Sequence, residues 1–198
     1  MSNSINDNPA KVLNGLILSG GKSSRMGRDK SLIQYHEVVQ REHVFNLLQK
    51  FCTSVFTSCK TVTNIPENLN PIADKFNFDS PLNGILTAFF QDANAAWITL
   101  PVDMPLVDEK IIAYLLKNRD SRKLATCFFD SEGKNPEPLV TLWEKTAYPP
   151  LLAFYKAGNT SPREFLKREK ANMIEIPDRR ALLNINSLEE LEKFRSQS

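Results

Sequence analysis

The segment Val12-Leu13-Asn14-Gly15-Leu16-Ile17-Leu18 is a short, mostly apolar run that breaks at once into Ser19-Gly20-Gly21. Apolar residues fall at both odd and even positions, so the run suits a strand buried on both faces better than one stripe of an amphipathic helix. Such a strand sits inside a sheet covered above and below by helices. The chain supplies both. A helical pattern from about Arg41 to Phe51 places Val44, Phe45, Leu47 and Leu48 on one side, and a second short strand follows around Ser54 to Thr57. Asn83 is a candidate cap for a helix running through Gln91, and Ala96 to Leu100 reads as another interior strand, ended by Pro101.

The alternation continues to the C-terminal end. Asp108 to Asn118 carries Ile111, Ile112, Leu115 and Leu116 at helical spacing. Leu124 to Phe129 and Pro138 to Trp143 read as two strands around the turn-like Asp130-Ser131-Glu132-Gly133-Lys134, a candidate antiparallel pair. Ser161-Pro162-Arg163-Glu164 and Ser187-Leu188-Glu189-Glu190 are capping boxes that open two helices, with a strand around Met173 to Ile176 between them. No repeat or long linker divides the chain. The reading is one three-layer α/β/α domain over residues 11–198 with a mostly parallel central sheet, preceded by a flexible leader at residues 1–10.

Charge and composition narrow the function. With 25 Lys and Arg against 23 Asp and Glu, the net charge of +2 is too small for non-specific nucleic-acid binding, so any cationic function is local. No run approaches the roughly 20 apolar residues of a membrane span, and the N-terminal residues lack the pattern of a secretory signal. Cys52, Cys59 and Cys127 have neither disulfide-framework nor zinc spacing, which points to a reducing cytoplasm. His36 and His43 belong to no nucleophile, base and orienter set, which disfavours acyl transfer.

The stretch Leu18 to Lys30 holds three of the seven glycines and four of the 25 basic residues. A loop leaving the carboxyl end of a central parallel strand opens into the crevice where α/β sheets bind ligands, and glycines let backbone N–H groups approach phosphate oxygens. Arg25 offers a planar fork to such oxygens and Lys30 a compact charge. The spacing is neither that of a P-loop nor that of a dinucleotide-binding fingerprint.

Taken whole, Gly20-Gly21-Lys22-Ser23-Ser24-Arg25-Met26-Gly27-Arg28-Asp29-Lys30 resembles the signature of the nucleotidyltransferases that make molybdenum-cofactor dinucleotides, the molybdenum cofactor guanylyltransferase family above all. Three further landmarks follow in order. They are Ile72-Ala73-Asp74 with Ser80-Pro81-Leu82-Asn83-Gly84-Ile85, then Leu100-Pro101-Val102-Asp103-Met104-Pro105, then Leu183-Asn184-Ile185-Asn186-Ser187. The chain departs from the family pattern at Ser80 and Asn83, where Gly and Ala are usual, and at Ser19, where Ala is usual.

The resemblance implies a Rossmann-like nucleotidyltransferase fold and transfer of GMP from GTP to molybdenum-molybdopterin, with pyrophosphate released. It implies nucleotide contacts from Leu18, Ser19, Gly20, Gly21, Lys30, Asp74 and Asp103, and substrate contacts from Asn184 and Asn186. Arg25, Lys30 and Asp103 are the implied catalytic residues, with Mg²⁺ on Asp103. Asp103 suits a metal on its own chemistry, since Pro101 and Pro105 stiffen the turn that carries it. Transient contact with cofactor-insertion proteins or apo-molybdoenzymes is a further expectation, and neither nucleic acid nor membrane is expected as a partner. Cytidylyl or sugar-1-phosphate transfer, or nucleotide binding without chemistry, remain the alternatives.

Overall fold

A computed structural model describes residues 12–19, 30–185 and 187–195. The expected leader at 1–10 lies outside them, as do Gly20, Gly21, Arg25 and Asn186. The opening run forms strand β1 (Leu13–Leu18), buried at every position. Gly15 lets α1 pack close, since a Cβ there would meet the Leu48 side chain at 3.2 Å and the Cys52 sulfur at 3.3 Å. Helix α1 (Gln40–Gln49) leads into β2 (Ser54–Cys59), and a three-residue strand β3 (Pro71–Ala73) follows. Helix α2 (Pro81–Gln91), β4 (Ala96–Pro101) and α3 (Glu109–Lys117) come next.

The second half holds β5 (Ala125–Phe129), β6 (Pro136–Trp143), α4 (Tyr148–Lys156), α5 (Pro162–Arg168), β7 (Asn172–Ile174) and α6 (Leu188–Arg195). The seven strands form one sheet in the order β3-β2-β1-β4-β6-β5-β7. The pairs β1/β2, β1/β4, β2/β3 and β5/β7 are parallel, whereas β6 runs antiparallel to both β4 and β5. The expected antiparallel pair is therefore present, and it is spliced into an otherwise parallel sheet.

Both faces are covered. Leu13 and Ile17 of β1 and Ile98 of β4 pack with Val44, Phe45 and Leu48 of α1 and Ile111 and Ile112 of α3. The alternate residues Leu16, Leu18 and Trp97 pack with Leu82, Ile85 and Phe89 of α2, Leu151 and Phe154 of α4 and Phe165 of α5. The period-two alternation of a strand thus feeds two separate apolar layers, and the three-layer reading holds.

Several boundaries differ from expectation: β6 begins at Pro136 and not Pro138, β7 covers Asn172–Ile174 and not Met173–Ile176, and helix α4 was not expected. Ser80, not Asn83, caps α2: its hydroxyl accepts from the Leu82 N–H at 3.2 Å, and Pro81 occupies the first helical position, where no N–H is required. Helix α4 carries Pro149 and Pro150 in its first turn, tolerated for the same reason. The two serine caps read from sequence are in place. Ser161 accepts from Glu164 N–H at 3.2 Å and Ser187 from Glu190 N–H at 3.1 Å.

Candidate active site

Strand order reverses at β1, with β2 and β3 to one side and β4 to the other. The register aligns Leu18 with Ser58 and Pro101, and Cys59 with Ala73, so the carboxyl ends of four parallel strands share one edge. Open α/β sheets bind ligands in the crevice outside such ends at the switch point. The crevice here has a volume of about 360 Å³ and is lined by Leu18 from β1, Ser58 from β2, Asp74 following β3 and Asp103 following β4. Lys60, Phe78, Asp79, Ser80, Pro81, Gly84 and Leu139 complete the wall.

Three of the expected residues, Leu18, Asp74 and Asp103, therefore meet in one cavity although the chain separates them widely. Ser19 adjoins it, and its hydroxyl donates to the Ser58 carbonyl at 2.7 Å. Lys30 opens a short turn of 3₁₀ helix, Lys30–Leu32. Asn184 is exposed and lies next to Ile185, whose N–H donates to the Asp103 carbonyl at 2.8 Å. The 184–185 segment thus abuts the Asp103 turn across 82 residues of sequence.

On the β2–β3 flank, the Ser58 hydroxyl donates to Asp74 Oδ1 at 2.7 Å. Burial pushes the Asp74 carboxyl above its ordinary range, Ser58 and Lys60 pull it back, and the Asp79 charge adds to the rise. Lys60 pairs with Asp79 on this wall at 3.1 Å. Helix α2 presses its first turn onto this edge. A Cβ on Gly84 would lie 2.4 Å from Ser58 Oγ, so this position admits only glycine without a shift of the wall.

On the β4 flank, Asp103 has one carboxylate oxygen, Oδ1, buried from solvent. Its turn is held at its main-chain atoms. Beyond the bond from Ile185, His36 Nε2 donates to the Pro105 carbonyl at 3.2 Å, and the buried Tyr35 hydroxyl donates to the Ile185 carbonyl at 3.0 Å. Burial, with the Glu190 and Asp103 charges added, pushes the Tyr35 phenol up to about 12, so it remains a donor. The two histidine rings stack at 3.6 Å, and burial followed by the neighbouring His36 and Lys50 holds His43 down at about 4. Asp108 caps α3 through a bond from Ile111 N–H at 3.0 Å, which leaves Asp103 no capping duty.

Several wall residues escaped the sequence reading. Ser58 and Lys60 gave no pattern, being ordinary residues at a strand end. Glu137 did carry a signal, an acid between Pro136 and Pro138 in an apolar strand. It is only 5% exposed, on the stretch of β6 beside the crevice. Burial raises its carboxyl pKa, the Leu139 N–H and Arg163 oppose the rise, and the Asp103 and Asp130 charges reinforce it. Arg163 approaches Asp130 at 4.0 Å.

The comparisons with known proteins agree with this geometry. The family model described as a MobA-like NTP transferase domain matches residues 15–173. A molybdenum cofactor biosynthesis bifunctional protein of Synechocystis is 31% identical over 90% of this chain, which spans about half, 52%, of that relative. The molybdenum cofactor guanylyltransferase of Pseudomonas syringae pv. syringae is 29% identical over 87% of this chain and 88% of its own length. The solved structure of molybdopterin-guanine dinucleotide biosynthesis protein A from Archaeoglobus fulgidus superposes with a TM-score of 0.74 at 18% identity, covering 93% of this chain and all of that one, and shares the fold. With a switch-point crevice holding Asp74 and Asp103, and a family match across most of its length, this chain belongs to the MobA-like NTP transferase domain family.

Proposed function

We propose that this chain transfers GMP from GTP to the terminal phosphate of molybdenum-molybdopterin, forming the molybdopterin guanine dinucleotide cofactor and releasing pyrophosphate. The observation that carries the reading is the convergence of Asp74 and Asp103 on one crevice directly behind the end of β1, where the glycine-rich segment begins. The guanylyltransferase relatives supply the substrate class.

In this reading the attacking atom is an oxygen of the pterin's terminal phosphate and the broken bond joins the α-phosphorus of GTP to its pyrophosphate. A phosphate monoester has its second pKa near ~6, so the nucleophile is mostly dianionic at neutral pH and needs no dedicated base. What the protein must supply is alignment and neutralisation of charge. In this proposal Leu18, Ser19, Gly20 and Gly21 are assigned to the nucleotide, Asp74 and its Ser58 partner to the guanosine part, and Arg25 and Lys30 to the charge of the phosphates. Asn184 and Asn186 offer amides to the pterin or its phosphate.

Magnesium fits the donor set at Asp103. One carboxylate lining a crevice of about 360 Å³ matches an ion that takes one or two carboxylates and completes its shell with phosphate oxygens and water. Bound there, Mg²⁺ would draw charge from the reacting and departing phosphates. Asp103 would hold it, and the bonds from the Ile185 N–H to the Asp103 carbonyl and from the His36 ring to the Pro105 carbonyl would steady the turn that carries it.

A cytoplasmic location belongs to the same proposal. Supporting it, Cys52, Cys59 and Cys127 are free thiols, and no described helix is long and apolar enough to cross a membrane. Transient contact with cofactor-insertion proteins or apo-molybdoenzymes would follow from a product that must be handed on. The test is incubation with molybdenum cofactor and α-labelled GTP or CTP. Label from GTP entering a pterin dinucleotide is the expected result. Label from CTP alone would reassign the base, and no transfer from either would reject the reaction.

A further inference from the structure

Residues 74–80 cross from β3 to α2 without regular secondary structure, yet they form one wall of the crevice through Asp74, Phe78 and Asp79. Something must hold this main chain. Asn83 lies in the first turns of α2, is 3% exposed, and turns its carboxamide onto the crossing segment. Its Nδ2 donates to the Phe76 carbonyl and, at 3.0 Å, to the Phe78 carbonyl. Its Oδ1 accepts from the Phe76 N–H at 3.1 Å and from the Thr87 hydroxyl at 3.4 Å. One turn further along α2, Thr87 Oγ1 accepts from the Lys75 N–H at 2.9 Å.

An amide has two donors and two acceptor positions, and here all four are used, three of them on the backbone of residues 76–78. Asparagine within a helix is a weaker former than alanine because its side chain competes for backbone groups. Its buried place in α2 is therefore accounted for by the segment it binds and not by the helix it occupies. Downstream of these bonds, Phe78 stacks on Tyr155 at 4.8 Å and Phe76 meets the same ring edge-on at 5.2 Å, so the wall is fixed at both the main chain and the aromatic tips.

We propose that Asn83 is a positioning residue of the nucleotide pocket: through residues 76–78 it sets the wall that Asp74, Phe78 and Asp79 present to the base and ribose. The proposal rests on the nucleotidyl-transfer reading above. It assigns a task to one of the two substitutions in the Ser-Pro-Leu-Asn-Gly-Ile segment, since an alanine there has no group with which to make these bonds.

Two readouts separate this role from a merely structural one. In Asn83→Ala, KM for GTP should rise about tenfold with kcat within about twofold of wild type, the pattern of lost binding shared by ground and transition states. Asn83→Asp keeps the acceptor for Phe76 N–H but turns a carboxylate oxygen onto the Phe76 and Phe78 carbonyls, so its KM should rise at least as far as in Asn83→Ala. Independently of nucleotide, hydrogen exchange at Phe76 N–H should quicken at least about tenfold in Asn83→Ala. Should that variant fail to fold, Thr87→Val carries the same measurements, read at Lys75 N–H. Unchanged exchange, an unchanged KM, or a fall in kcat with KM preserved would overturn the proposal. If the wild-type protein uses CTP instead, the guanine reading fails and the same KM and kcat split, measured with CTP, judges Asn83. Uptake of neither nucleotide overturns both.

Discussion

The two flanks of the crevice are built in different ways. On the β2–β3 side, the wall is held by side chains close in sequence: Ser58 bonds Asp74 across 16 residues, and Asn83 bonds Phe76 and Phe78 across seven and five. On the β4 side, the Asp103 turn is held at its carbonyls by partners far away in sequence, with Ile185 N–H on the Asp103 carbonyl and the His36 side chain on the Pro105 carbonyl 69 residues off. In the proposed reading the first flank meets the base and ribose, which are recognised by shape and by hydrogen bonds that local side chains tune, and the second presents the Asp103 carboxylate to the metal and phosphates.

If the flanks divide the labour in this way, removing their charged residues should produce different kinetics. Asp103→Ala should lower kcat about a thousandfold while the circular-dichroism spectrum and melting temperature stay near wild type, because the lost group acts on the developing phosphate charge. A folded variant with near-normal turnover would remove Asp103 from the chemistry. Asp74→Ala should act mainly on KM for GTP, by about ten- to a hundredfold, since bonds to charged groups contribute about 1.5–3 kcal/mol. A pure kcat effect there would erase the distinction between the flanks.

Smaller effects sharpen the comparison. Tyr35→Phe removes the donor to the buried Ile185 carbonyl, which should cost about 1–3 kcal/mol in urea unfolding and loosen the Asp103 turn. The expected signature is faster exchange at Ile185 N–H with kcat reduced more than KM is raised. His43 gives an effect of definite sign. Its pKa is held at about 4 in the folded protein against an ordinary 6.5, so the unfolded chain binds the proton first. Its contribution to stability is complete above about pH 6.5 and is lost as pH falls toward about 4. Urea midpoints of wild type and His43→Gln should diverge at pH 7 and converge near pH 4, and parallel profiles would deny the shift.

The same division decides what could be read without coordinates. β1, β4 and α3 were legible because burial on both faces or on one helical stripe imposes a period on the residues themselves. Asp74 and Asp103 were legible through their surrounding motifs. Helix α4 was not, since Tyr148-Pro149-Pro150 reads along the chain as a turn and becomes a helix start only where its first N–H groups need no partner. The cap of α2 was misplaced by three residues because asparagine and serine are both good caps. Ser80-Pro81 was the better signature, and Asn83 was freed for the loop. Ser58, Lys60 and the Tyr35–His36 brace left no pattern at all, because their roles arise from contacts 16 to 150 residues away.

The central claim is that the crevice at the ends of β1 and β4 receives a guanosine triphosphate with its base beside the Asp74 wall and its phosphates toward Asp103. Crystals grown with magnesium and a GTP analogue that resists α–β cleavage test it directly. The account predicts guanosine density against Asp74 and Phe78, with the triphosphate and its metal on the Asp103 side of the crevice. A nucleotide bound in that crystal away from this crevice, with Asp103 contacting neither phosphate nor metal, would contradict it.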